Sequence, residues 1–251
     1  MPNSRAFVIR SIKNGETSLI VSCYLEDIGF KTFIVKGVYG SKKSKFSKAH
    51  FFPLNIININ YAYTEGKNLG FIKEVKTEKL YNSLHSDIQK SSIIIFLSEI
   101  LNSIFREETD VNKGLFEFLF NSLSWYDSEV SCNNFHIKFL LELSKFIGFY
   151  PNINNENDSF FDLQLGSTTS TRPFGSNISG DDFNLFKEFL GTKFEDLNLM
   201  NLKNNSRVKI LNYIIDYYSL HLQMFKTPKS INVFNEILID LGVLNICKCR
   251  E

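Results

Sequence analysis

Along the first 80 residues, apolar and polar positions alternate in short stretches that predict five β-strands. Between residues 17 and 25, Leu19, Val21, Cys23 and Leu25 alternate with Ser18, Ser22 and Tyr24, which is the period of two of a half-buried strand. The other predicted strands cover residues 6–12, 31–38, 57–61 and 69–75. Strands this short and this closely spaced predict a small closed barrel, with an open five-stranded sheet as the alternative.

From about residue 86 the apolar positions recur every three or four residues, which predicts helices. Ile93, Leu97, Ile100 and Ile104 mark the first. Further helices are predicted over residues 113–126, through Phe139 to an end at Gly148, over 183–190 and 205–222, and around 234–241. Pro151 to Ser179 is rich in Asn, Ser, Thr, Gly and Asp and predicts an irregular insertion.

These patterns predict an α+β protein with two domains. Residues 1–80 form a five-stranded barrel of the oligonucleotide-binding (OB) type, and residues 81–251 form a helical domain with an irregular insertion at 150–180. No apolar run approaches the roughly 20 residues that cross a bilayer, so no membrane contact is expected. Four scattered cysteines suggest no disulfide framework and favour a cytoplasmic protein with reduced thiols.

Charge divides unevenly along the chain. Residues 1–80 carry 13 Lys and Arg against 6 Asp and Glu, whereas the remainder carries 15 against 21. Such a split is typical of a basic binding half joined to an acidic half, although scattered surface charge could produce it too.

Motifs for catalysis are missing from the sequence. There is no phosphate-binding glycine loop, no GxGxxG and no GxSxG, and the four histidines stand apart from one another. Cys247 and Cys249 are too few for a tetrahedral zinc site. Glu107, Glu108 and Asp110 could hold a metal in a nuclease, but a charged helix end explains them more simply. The expected protein is not an enzyme and needs no cofactor.

The segment from Lys36 to Phe46 is the strongest candidate for binding. Its lysines lie among Gly and Ser, where each could neutralise a phosphate, and Lys48 follows. Tyr39, Phe46 and Phe51 stand where a ring could stack on an unpaired base, but Phe beside a strand is more often core. Nothing predicts base-edge recognition, so binding should be indifferent to sequence.

Several segments resemble the RecO family of bacterial recombination mediators. They are Ser4–Arg10, Gly15–Leu19, Val35–Gly37, Lys138–Leu143, Phe146–Phe149, Tyr217–Leu222 and Phe225–Ser230. The resemblance implies a protein, monomeric on its own and associated with the nucleoid, that binds single- and double-stranded DNA and anneals complementary strands. It also implies work with RecR to load RecA onto DNA covered by single-stranded-DNA-binding protein. The alternative is an interaction adaptor whose barrel does not bind nucleic acid.

The resemblance also assigns residues to two sites. The DNA-facing residues would be Arg5, Arg10, Lys36, Lys42, Lys43 and Lys45, although strand alternation could place Arg10 on either face. Lys48, from the lysine-rich segment, is predicted to join them. The acidic, Phe-ended tail of single-stranded-DNA-binding protein would bind at Lys138 with Phe139, Phe146 and Phe149, unless these aromatics are helix core. Many family members hold zinc after the Gly-aromatic motif. Residues 150–190 contain no cysteine, so no metal is expected, and Phe160–Gly166 is predicted to form a hairpin there.

Overall fold

The computed structural model describes residues 2–39, 46–107, 110–130 and 133–236. The chain divides into two compact units, Met1–Ser128, here the barrel unit, and Glu129–Glu251, here the C-terminal unit. Within the described ranges, no helix combines the length and apolar character needed to cross a bilayer.

Five strands close into a barrel in the first unit. They are β1 (Asn3–Asn14), β2 (Ser18–Leu25), β3 (Gly29–Val35), β4 (Ile56–Ala62) and β5 (Gly70–Thr77). Their order around the barrel is β1-β2-β3-β5-β4, and only the β3–β5 pair is parallel. The predicted closed barrel is confirmed and the open sheet is excluded.

The barrel interior is filled by the alternating apolar positions. Val21, Cys23, Phe33 and Ile59 are each fully buried there. Gly70 is needed where β5 meets β3, because a Cβ at this position would lie 2.8 Å from the Phe33 ring and 2.9 Å from the Ala62 carbonyl oxygen. Burial also raises the pKa of the Cys23 thiol, which stays protonated.

Two helices pack on one part of the barrel's outer surface, α1 (Ile88–Ile104) and α2 (Lys113–Ser128). The Tyr24 ring stacks on Phe105 with centroids 4.4 Å apart, and Phe7 lies 5.0 Å from Phe116. This explains why the outward-facing side chains of Phe7 and Tyr24 are aromatic and buried. The two helices therefore form one compact unit with the barrel.

The C-terminal unit contains α3 (Phe135–Phe146), α4 (Gly180–Gly191) and α5 (Asn204–His221), with a 3-10 helix at Phe194–Leu199. Gly148, at φ +88°, follows α3 and confirms the predicted helix end. Residues 231–236 are helical. The rest of the predicted last helix, together with Cys247 and Cys249, lies outside the described residues.

The predicted irregular insertion contains a small sheet. Its strands are β6 (Phe160–Asp162), β7 (Ser167–Thr169) and β8 (Asn177–Ser179), in the order β7-β6-β8. The predicted hairpin is confirmed as the β6–β7 pair, but the third strand was not predicted. A strand of three residues is too short for alternation of apolar and polar positions to be recognised in the sequence. The central residues of β6 and β8, Phe161 and Ile178, are nevertheless fully buried.

Candidate nucleic-acid interface

Arg10 lies on the outer face of the barrel because of a break in the strand register. Val8 pairs with Cys23 and Arg10 with Ser22, so Ile9 is an extra residue in β1. The irregularity settles the direction that alternation alone left open: Val8 is buried and Arg10 is exposed. Among the described residues, Arg10 has no carboxylate partner.

Lys36 follows β3 directly and is exposed. Its ammonium lies 5.5 Å from the centre of the Phe71 ring in β5, and no ion pair with another described residue holds it. Phe71 itself is 45% exposed. The sequence pattern does not single out Phe71, because only the β3–β5 pairing brings it beside Lys36.

A second group of cations surrounds Tyr39. The Lys48 ammonium lies 4.1 Å from the centre of its ring and the Lys13 ammonium 5.3 Å. Lys48 opens a short 3-10 helix that Ser47 caps, and the Tyr39 amide donates to the carbonyl of Thr17 in the β1–β2 turn. Lys13 was not predicted from the sequence. It joins this group because Val38 and Tyr39, just after β3, donate their amides to the Thr17 carbonyl in the β1–β2 turn.

Arg5 differs from the other cations because its guanidinium has protein partners. It donates to both carboxylate oxygens of Glu26, at 2.8 and 2.6 Å, and to Glu117 at 3.0 Å. It also lies 5.1 Å from the centre of the Phe116 ring. The hydrogen bond from Arg5 lowers the pKa of Glu26. These contacts tie β1 to the turn after β2 and to α2, so Arg5 is the weakest of the described candidates for phosphate binding.

Three predicted lysines, Lys42, Lys43 and Lys45, lie outside the described residues, so their role stays a prediction. Phe46 and Phe51, in contrast, are described and belong to the barrel core, with exposures of 6% and 3%. The interpretation of these two rings as core residues is therefore confirmed.

Lys138, predicted to bind an acidic tail, is almost fully buried in α3. Its ammonium donates to the carbonyls of Phe189 and Leu190, both at 3.1 Å, and pairs with Glu142 at 2.8 Å. The two carbonyls belong to the last turn of α4, where helix carbonyls lack intrahelical donors. The three acceptors match the three N–H groups of the ammonium, which gives Lys138 a structural role.

The three aromatics predicted beside Lys138 lie in different surroundings. Phe139 is fully buried, whereas Phe146 and Phe149 are partly exposed. The Phe149 ring stacks on the His221 ring, with centroids 5.2 Å apart. The backbone carbonyl of Phe149 accepts a hydrogen bond of 2.6 Å from the Tyr217 hydroxyl. The predicted tail site at these residues stays a prediction.

A cleft of about 830 Å³ opens nearby in the same unit. Its lining combines apolar and polar groups: Tyr150, Pro151, Asn152, Ile153, Glu156, Lys187, Leu190 and Gly191. The Lys187 ammonium also lies 4.6 Å from the centre of the Phe183 ring. A cation beside apolar side chains is the arrangement that recognises a carboxylate next to an aromatic group.

No group of three or more His, Cys, Asp or Glu in the described ranges is placed to hold a metal ion. Of the carboxylates considered for a nuclease, Glu108 lies outside those ranges. His136 is fully buried. Its burial, together with the smaller effect of the positive charge of Arg207, lowers its pKa to about 3. It is therefore neutral at physiological pH and packs edge-on against Phe234 at 5.0 Å.

Comparisons with known proteins give a consistent result. The family model for the recombination protein O N terminal matches residues 1–81, and the model for its C terminal matches residues 85–230. The DNA repair protein RecO of Flavobacterium psychrophilum is 38% identical over 234 residues, covering 93% of this chain and 98% of the relative. That of Flavobacterium johnsoniae is 36% identical with the same coverage, and that of Bacteroides fragilis is 35% identical over 92% and 96% of the two chains.

Proposed function

Since the chain belongs to the RecO family, whose matched relatives are DNA repair proteins, we propose that it binds single- and double-stranded DNA and anneals complementary strands. In the same proposal it acts with RecR to help load RecA. The observation that carries DNA binding is the set of exposed cations on the barrel, Arg10, Lys13, Lys36 and Lys48. Unlike Arg5, none of them forms an ion pair with a described residue.

The proposed mechanism is electrostatic and makes or breaks no covalent bond. Two complementary strands repel each other through their phosphates, and a cationic surface that holds both reduces this repulsion. Lys42, Lys43 and Lys45, which lie outside the described residues, would add to the same charge. Because phosphates are identical along every strand, binding to them carries no sequence preference.

We expect the double variant Arg10→Ala with Lys36→Ala to weaken DNA binding and to reduce its salt dependence. The slope of log K against log salt is negative, and each lost phosphate contact should make it less steep, by about 0.7 on single strands and about 0.9 on duplex. Fluorescence-anisotropy titrations with both DNA forms at several salt concentrations would measure this.

The matched control is Arg172→Ala with Lys193→Ala, which removes the same charges from exposed positions in the C-terminal unit. It should leave both slopes unchanged. Equal slopes for the wild type and the barrel variant would remove Arg10 and Lys36 from the interface. No binding by the wild type even at low salt would favour the adaptor function instead.

The proposal also includes binding of the acidic tail of single-stranded-DNA-binding protein. Lys138 has all three of its donors engaged within the protein, whereas the lining of the neighbouring cleft includes one cation, Lys187, and the apolar side chains of Ile153 and Leu190, together with one carboxylate, Glu156. A Phe-ended tail needs both an apolar slot for the ring and a cation for the carboxylate. We therefore place the tail in the cleft.

Lys187→Glu should weaken binding of an acidic peptide ending in Phe by about tenfold or more, because it puts like charge against the carboxylate. The control Lys203→Glu makes the same change at an exposed position at the start of α5, outside the cleft lining. Calorimetric titration of the peptide would compare them. Equal affinities for both variants would exclude the cleft.

A further inference from the structure

An apolar row that is exposed in the described part of the chain crosses the outer face of the barrel. Strand register places Ile12 opposite Ile20, Ile20 opposite Ile34, and Ile34 opposite Phe71. Ile12 is 44% exposed and Phe71 45%, and the two residues between them are partly exposed. The row crosses four strands, which at about 4.8 Å per spacing is a length of roughly 14 Å.

The surroundings of this row are polar and positively charged. On the same face, Arg10, Ser22 and Thr32 border one side, and Asn14, Ser18 and Lys36 border the other. None of these neighbours is acidic, and the Lys36 ammonium lies beside the Phe71 ring. An apolar strip between cations complements a ligand that has flat apolar faces and a negatively charged backbone.

Single-stranded nucleic acid has this chemistry and duplex does not. In a duplex the faces of the bases are stacked on one another and only the edges reach the grooves. An unpaired base can instead place its face on an aromatic ring or an apolar side chain, while its phosphates meet nearby cations.

We infer that the row of Ile12, Ile20, Ile34 and Phe71 is a stacking site for unpaired bases, with Phe71 as the residue that sets a preference for single strands. This inference rests on the proposed DNA binding and deepens it. The cations hold either form of DNA through its phosphates, and the row adds affinity only where bases are unpaired. The barrel would thereby distinguish the strands before annealing from the duplex after it.

The test uses the full chain and three probes: an oligothymidylate, the same strand with abasic sites through its centre, and a duplex of equal length. Phe71→Ala should bind the intact strand at least about fivefold more weakly than the wild type, with duplex affinity unchanged. Wild type should favour the intact over the abasic strand, and Phe71→Ala should bind both alike. Phe71→Trp keeps a ring and should retain the preference.

The matched control is Phe52→Ala, which removes a ring of similar exposure, 49%, that packs near His85 and lies outside the row. It should bind all three probes as the wild type does. An equal loss by Phe71→Ala on intact and abasic strands, or no loss, would overturn the stacking site while leaving DNA binding intact. No binding of any probe by the wild type would overturn both proposals.

The row could instead bind a second copy of the chain and form a dimer interface. Analytical sedimentation of the wild type and Phe71→Ala would show whether either protein is a dimer. We expect the wild type and Phe71→Ala to sediment alike. A wild-type dimer that Phe71→Ala converts to monomer, with no dependence of binding on the bases, would show that the row is a protein interface and would overturn the inference.

Discussion

Asp127→Ala should lower the free energy of unfolding of the barrel unit by about 3 kcal/mol. The reason is that the Asp127 carboxylate accepts hydrogen bonds from the backbone of residues 82–84, the segment between the last barrel strand and α1. The two carboxylate oxygens accept from the backbone amides of Asn82, Ser83 and Leu84 at 2.8 to 3.1 Å. Lys90, also buried, donates to the Asp127 carbonyl at 3.0 Å and to the Ser83 hydroxyl at 2.6 Å. Removing the carboxylate leaves several donors in a mostly buried place without an acceptor.

Urea denaturation would measure the loss, with Asp87→Ala as the comparison. Asp87 caps α1 through a single bond to the Lys90 amide, at 2.9 Å, so its loss should cost only about 1 kcal/mol. Similar costs for the two variants would show that the amides from residues 82 to 84 find other acceptors or water.

The same carboxylate predicts a dependence of stability on pH. Burial raises the pKa of Asp127, but the amide donors from Asn82, Ser83 and Leu84 outweigh it and hold the pKa below the ordinary 3.8. Its stabilising contribution is therefore complete above pH 3.8 and is lost as the pH falls through the lower pKa of the folded state. Asp127→Ala should flatten the acid side of the stability curve.

Lys138→Met should destabilise the C-terminal unit by about 3 kcal/mol, since it leaves buried acceptors without their ammonium. The methionine keeps most of the side-chain volume, so the loss reports the charge and its hydrogen bonds and not a cavity. The affected acceptors are the last carbonyls of α4 and the Glu142 carboxylate. Thermal or urea unfolding would measure the change.

Lys145→Met is a close control, because Lys145 pairs with the same Glu142 at 2.6 Å but is 43% exposed. An exposed pair contributes at most about 1 kcal/mol, so this variant should remain near the stability of the wild type. Equal losses would contradict the structural role of Lys138. A folded Lys138→Met that has lost only tail-peptide affinity would restore Lys138 to the tail site and count against the cleft.

Features that depend on neighbours in sequence were predictable from the residues alone. The alternation of Leu19, Val21 and Cys23 indicates a strand because a pleated chain turns successive side chains to opposite faces. The spacing from Ile93 to Ile104 indicates a helix for the equivalent reason, and Gly148 marks a helix end because it adopts a positive φ. The family resemblance, carried by short segments, is confirmed by models that match both parts of the chain.

Residue type identified the candidate cations in the sequence, but it could not show which of them pair with carboxylates elsewhere in the protein. Arg5 and Arg10 are similar in sequence context, yet Arg5 is paired with Glu26 and Glu117 while Arg10 is exposed. The partner Glu117 lies 112 positions away from Arg5, and Lys138 meets acceptors 51 and 52 positions away. No local pattern carries that information.

The sequence by itself determined the five strands of the first 80 residues, most of the later helices and the basic character of the first 80 residues, because hydrophobic periodicity and charge are local properties. Tertiary structure decided that the five strands close into a barrel and do not form an open sheet. Tertiary structure decided which cations remain exposed and which side chains form one surface. Ile12, Ile20, Ile34 and Phe71 are widely spaced along the chain and become one row through three strand pairings. A shift of one residue in any pairing would turn a strand's contribution to the opposite face, so register decides whether this surface exists.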